Sequence, residues 1–163
     1  MMTNILDEAK SRFQKDFLSP SHEWDYLESL IEKSKSDRLP LLHWVFEESC
    51  AYWDTRAHAG MILLEENEFE TWQTLKRLVA SSDPDDNGTA LTIFEKTGDL
   101  RGLELAQDWL NDGAHPATQL EAISFLKDIC PEKVWVRVQA LSANEDSNIR
   151  NAAKRLAEEI KAS

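Results

Sequence analysis

The sequence predicts an all-α fold, and three observations carry that expectation. Apolar residues recur at helical spacing almost throughout the 163 residues, and no stretch shows the alternation that a half-buried strand requires. Glycine and proline number five each, too few for a fold built on many tight turns or for a glycine-rich phosphate loop. A longer period of 30 to 32 residues runs through the helical pattern. The length suits a single domain, 1–163, able to bury a core without disulfides or metal.

Helices are expected, in order, at 3–18, 21–36, 40–53, 55–66, 68–81, 84–97, 100–111, 116–129, 132–143 and 147–161. Three starts are written most clearly, at Ser19-Pro20, Asp83-Pro84-Asp85-Asp86 and His115-Pro116. In each, a residue able to cap or turn precedes a proline whose missing N–H costs the first helical turn nothing. Asp83 is the strongest, because a carboxylate cap followed by two more acids also suits the positive end of the helix dipole.

The long period shows when Ile149, Ala152, Ala153 and Leu156, one stripe of the last helix, are stepped back along the chain. Gln119, Ala122, Ile123 and Leu126 follow, then Asn87, Ala90, Leu91 and Phe94, then Ala57, Gly60, Met61 and Leu64. A small residue recurs at the second place and a large apolar one at the fourth. The intervening helices keep their own register: Leu42, Val45 and Ser49; Trp72, Leu75 and Val79; Leu103, Ala106 and Leu110; Trp135, Val138 and Ser142. A two-helix unit repeated at this spacing predicts an α-solenoid, with a compact helical bundle as the competing arrangement.

The segment Asp146-Ser147-Asn148-Ile149-Arg150-Asn151-Ala152-Ala153-Lys154-Arg155-Leu156 resembles the second helix of a HEAT repeat. Asp83-Pro84 opens a second copy and Asp54-Thr55-Arg56-Ala57 a third, with its Arg two places early; the copy at 116–129 lacks both the Asp and the Arg. The resemblance implies a right-handed α-α superhelix of about four HEAT-like hairpins over 40–161. Residues 3–36 would then form an N-terminal helical cap or a degenerate repeat. It also implies that the second helices line a concave side. The residues opposite each buried stripe would then face the groove: Thr55, Ala59, Ile62 and Glu66; Asp85, Thr89, Thr92 and Lys96; Ala117, Glu121, Ser124 and Asp128; Ser147, Asn151, Lys154 and Glu158.

That row holds five carboxylates and two lysines, in a chain of net charge −12. A surface that tracks phosphates needs a stripe of Lys and Arg, so nucleic acid is not the expected partner, and the HEAT-like DNA glycosylase reading is disfavoured as well. A basic protein is, since opposite potentials steer encounter. The residues expected to bind it are Glu66, Asp85, Thr92, Glu121, Ser124, Asp128, Asn151 and Glu158, with Trp44 a further candidate because it falls outside the Leu42 and Val45 phase beside Glu47 and Glu48. A half-buried packing role for Trp44 is the alternative, and Trp109 is equally open. Trp24, Trp72 and Trp135 read as core.

No catalytic residue is expected. His43, Glu47, Cys50, Asp54 and His58 would share one stripe of a continuous helix, yet without a His-Glu-x-x-His or a paired cysteine they make no complete metal set, and no metal or cofactor is expected. Nucleophile-elbow, Walker and dinucleotide-binding motifs are missing from the sequence. Cys50 and Cys130 stand eighty residues apart and read as reduced thiols; with neither a secretory signal at the start nor a membrane-length apolar run, a cytoplasmic protein is expected. The expected function is therefore a non-catalytic HEAT-like protein-binding module, in its sharpest form an immunity-type inhibitor that neutralises a basic toxin. Its alternatives are an adaptor or assembly chaperone, or an enzyme resembling the HEAT-like bilin lyases.

Overall fold

The computed structural model describes residues 4–15, 17–48 and 50–163. Among them are ten α-helices and no strand: α1 (Ile5–Arg12), α2 (Pro20–Lys33), α3 (Arg38–Glu47), α4 (Trp53–Glu66), α5 (Glu68–Ala80), α6 (Pro84–Thr97), α7 (Leu103–Asp108), α8 (Pro116–Leu126), α9 (Pro131–Leu141) and α10 (Ser147–Ala162). Short 3-10 turns lead into α3 and α7. Each of the three proline-marked starts is capped by the residue ahead of the proline. Ser19 Oγ accepts from His22 N at 3.3 Å, Asp83 from Asp85 N at 2.9 Å, and His115 Nδ1 from Ala117 N at 3.2 Å. Residue 3, Asp16 and Ser49, which the sequence placed in helices, lie outside the described residues.

The chain divides into two compact units, Met1–Arg77 and Leu78–Ser163. In the first, α1 packs on α2 and α3, and α4 packs on both α2 and α3. Its core holds Leu27, Leu30, Leu41, Leu42, Val45, Phe46 and Leu63, all without exposure. The first helix ends at Arg12 rather than 18 because the chain beyond it turns its rings inward. Phe13 and Phe17 stand 5.0 Å apart, both near Tyr26, with Trp44 edge-on to Phe13 at 5.5 Å and the Arg12 guanidinium 3.8 Å over Phe17. Helix α3 also stops early, at Glu47 rather than 53, while α2, α7 and α8 each end three residues short of the expected 36, 111 and 129 and α9 two short of 143.

In the second unit α8 is central, packing on α6, α7, α9 and α10, while α10 also packs on α9. Every residue of α6 from Asn87 to Phe94 is buried. Ala90, Phe94, Ala122, Ile123 and Leu126 have no exposure, which puts the periodic stripe in the core.

One device recurs in both units. A donor in the first turn or so of a later helix reaches back to carbonyls at or beyond the end of an earlier one. Arg56 Nε donates to Phe46 O at 3.1 Å in the first unit. In the second, Asn87 Nδ2 donates to Leu78 O at 3.0 Å and Ser81 O at 3.1 Å, Gln119 Nε2 to Ala114 O at 2.8 Å, and Arg150 Nη1 to Asn144 O at 2.8 Å. Helix ends leave carbonyls without intrahelical partners, and these side chains meet that need from the tertiary side. Asn87, Gln119 and Arg150 fall at or next to equivalent places of the 30 to 32 residue period.

Candidate functional site

The face that carries a binding reading lies in the second unit, between α8 and α10. Burial of Ala122, Ile123, Phe125 and Leu126 fixes the rotation of α8 and leaves Leu120, Glu121 and Ser124 half-buried at its edge. On α10 only Ala153 is buried; Ile149, Ala152, Leu156, Ala157 and Ile160 are half-buried. Between them runs a groove of about 250 Å³ with Leu120, Ala152 and Leu156 as its apolar lining and Glu121, Ser124, Arg155 and Glu159 as its polar one.

Carboxylates dominate its surroundings. Lys127 pairs with Glu159, and that hydrogen bond raises the Lys127 ammonium above its ordinary pKa against the cost of burial, with Glu159, Asp128 and Glu95 adding negative potential. Ser124 Oγ donates to Glu95 Oε1 at 3.1 Å. Asp128 and Glu158 are exposed at the end of α8 and along α10.

Of the residues expected to line one face, the structure brings Glu121 and Ser124 into this groove and leaves Asp128, Asn151 and Glu158 exposed on the same two helices or beside them. The α10 residues that meet α8 are 152, 155, 156 and 159, one position beyond the expected 151, 154 and 158. Leu120, Arg155 and Glu159 were therefore missed; the last two flank the stripe residues Ala152 and Leu156 of α10, and that stripe was the signal for them. Asp85 is exposed in the first turn of α6.

Thr92 does not face a groove: it is 5% exposed, and its hydroxyl donates to Gly88 O at 2.8 Å. Thr89, Thr55 and Ala59 are buried as well. The α4 and α6 helices are packed on more than one side; on α6 the threonine hydroxyls bond the carbonyl four residues back, and on α4 that of Thr55 donates to Glu23 Oε1 at 2.6 Å. Glu66 and Trp44 belong to the first unit. Glu66 binds Arg38 Nη1 through both oxygens, at 2.6 and 2.7 Å, and Trp44 is half-buried against Phe13.

The stripe of His43, Glu47, Cys50 and Asp54 does not form, because α3 ends at Glu47. His43 Nδ1 lies 3.5 Å from Glu47, the Cys50 thiol donates to Phe13 O at 2.9 Å, and His58 stacks on Trp24 at 3.9 Å. Among the described residues no three His, Cys, Asp or Glu side chains are grouped as metal ligands. Nor, among them, is any helix long and apolar enough to cross a membrane. Comparison with protein-family models, with curated proteins and with solved structures gave no match.

Proposed function

We propose that the chain is a non-catalytic, HEAT-like protein-binding module and that its partner is a basic protein seated on the face between α8 and α10. The observation that carries the reading is the groove itself: an apolar strip of Leu120, Ala152 and Leu156 bordered by Glu121, Arg155 and a Glu159 paired with Lys127, in a chain of net charge −12. An apolar centre with a charged edge is how transient protein interfaces are built, and the chain's net charge, with Asp128 and Glu158 exposed beside the groove, favours a cationic partner. The succession of α6, α8 and α10, each second helix packed on the next, supports the solenoid arrangement.

In its sharpest form the module is an immunity-type inhibitor of a basic toxin, and in its second form an adaptor. Affinity capture at low and high salt, with wild type and the Glu121→Lys/Asp128→Lys variant, tests the reading. The expected result is a basic protein held by the wild type at low salt and lost by the variant. Arrest of growth when that protein is produced alone, relieved by co-production, would place it as a toxin. Equal capture by wild type and variant would move the binding surface elsewhere.

A further inference from the structure

A second concavity in the same unit has a different chemistry. It lies where the loop after α5 meets the α7–α8 loop, has a volume of about 460 Å³, and is lined by Ser81, Ser82 and Asn87 on one side and Trp109, Asn111, His115 and Thr118 on the other. The size falls in the range of roughly 300–1,000 Å³ typical of small-molecule sites. In a chain of which 29% is charged, no Asp, Glu, Lys or Arg is among these described lining residues.

Thr118 decides what this space is for. The residue is 2% exposed, it lines the cleft, and its hydroxyl has no hydrogen-bond partner among the described residues. Other threonines of this chain show what is missing. Thr71, Thr89, Thr92 and Thr97 donate to the carbonyl four residues back at 2.7 to 2.8 Å. For Thr118 that carbonyl belongs to Ala114, outside the helix, and it is Gln119 Nε2 rather than the Thr118 hydroxyl that bonds it, at 2.8 Å. A buried hydroxyl left unpaired costs stability that a valine of the same shape would not. Here it is retained on the wall of a polar space.

The walls are held in place by their own bonds. The Asn87 amide is committed to Leu78 O and Ser81 O, and Asn111 Oδ1 accepts from Gly113 N at 2.8 Å. His115 Nδ1 accepts from Ala117 N, which turns the imidazole's other nitrogen to the donor role. The Ser81 hydroxyl is engaged as well, donating to Asp86 Oδ2 at 2.6 Å and accepting from Asp83 N at 3.1 Å, so the free capacity sits on Thr118, His115 and Ser82, beside the Trp109 indole.

We propose that this cleft binds a neutral sugar, a mono- or disaccharide. An ion entering it would lose water without gaining a fixed opposite charge. A nucleobase wants stacking on both faces or an arginine plane, and this lining offers one indole, an imidazole tied by its Nδ1 to Ala117 N, and no arginine. A sugar ring presents a C–H face to the indole and hydroxyls, each donor and acceptor, around its edge, which matches the hydroxyl and imidazole groups left free on the lining. The site is separate from the α8–α10 groove, and it stands or falls independently of the protein-binding reading.

Saturation-transfer NMR on the intact protein tests it, with glucose, galactose, N-acetylglucosamine, maltose, lactose and chitobiose as probes and adenosine and glucuronate as comparators. The expected result is saturable transfer to the ring protons of at least one neutral sugar, stronger than to either comparator. Trp109→Ala should abolish it, and Thr118→Val should weaken it several-fold without lowering the denaturation midpoint. Ser124→Ala, in the other groove, should leave it unchanged. Transfer to none of the neutral sugars, transfer to adenosine or glucuronate in their place, or transfer that persists in both the Trp109 and Thr118 variants would overturn the proposal. Because Thr118→Val preserves shape, the test does not depend on Trp109→Ala remaining folded.

Discussion

Glu23 is 3% exposed, yet it is a carboxyl group in an apolar core. It stands at the start of α4, where Tyr52 offers no side-chain cap, and accepts from Tyr52 N at 3.0 Å and Thr55 Oγ1 at 2.6 Å through one oxygen. Burial pushes its pKa above the ordinary value, against the lowering pull of these two hydrogen bonds. The folded state therefore holds a proton that the unfolded chain has released, in a window just above the ordinary glutamate pKa. Stability from this group is full below that window and falls as pH rises through it. Glu23→Gln keeps the accepting oxygen and removes the charge. Its denaturation midpoint should lie at or above that of wild type at neutral pH, and the gap should close on acidification through the window. A gap that does not change with pH would show that Glu23 is not a burial-strained carboxylate. Nothing in the sequence marks Glu23, because it sits among ordinary helix charges and its partners come from 29 and 32 residues away.

At the scale of elements, two glycines flank the same turn for unlike reasons. Gly98 ends α6 at φ +65°, and both its N–H and that of Asp99 reach the Phe94 carbonyl, while a Cβ there would meet nothing within 4 Å. Gly98→Ala should cost about 1 kcal/mol from backbone strain alone, and Gly98→Asn less. Gly102 has no such strain, but a Cβ would stand 2.3 Å from Phe94 Cγ, and Phe94 is fully buried. Gly102→Ala should cost roughly 1–3 kcal/mol, and Phe94→Leu in the same chain should recover part of it. Urea melts of the four variants check both; equal losses at Gly98 and Gly102 with no recovery would contradict the packing argument. Ala122→Leu, at a fully buried place of the periodic stripe, should likewise cost roughly 1–3 kcal/mol.

The helices were legible for local reasons, since proline, a cap and helical apolar spacing all act within a turn or two. Where they failed, a tertiary contact won. Phe13 and Phe17 end α1 by burying their rings together, and the stripe opposite the core on α6 is buried too because α8 and the turn before α7 both lie against it. Thr92 could not be told from an exposed threonine, because its hydroxyl is satisfied inside its own helix. Trp109 and Thr118 meet in a cleft only through the α7–α8 loop, whose path no periodicity describes.

At the scale of the whole molecule, charge is the most legible property and the one least tied to any single contact. The boundary between the two units falls inside α5, where no shift in composition marks it, whereas a net charge of −12 is plain from the sequence. A field of that sign reaches about 10 Å at 0.1 M salt and shortens as salt rises. Attraction of a cationic partner by such a field acts mainly on the association rate, while contacts in the groove act on dissociation. Reversing Glu121 and Asp128 to lysine should therefore slow association with the captured partner and flatten its dependence on salt, with a smaller effect on dissociation. Asp128 is exposed, so its part of the change should leave stability within about 0.5 kcal/mol. Leu156→Ala, which trims the apolar strip without touching charge, should do the reverse: faster dissociation at an unchanged salt slope. Stopped-flow or surface kinetics at two ionic strengths separate the two effects. If the double reversal associates as fast as wild type at low salt, the acidic edge does not steer the partner. If wild type retains duplex DNA at physiological salt, the inference from charge to partner has failed at its first step.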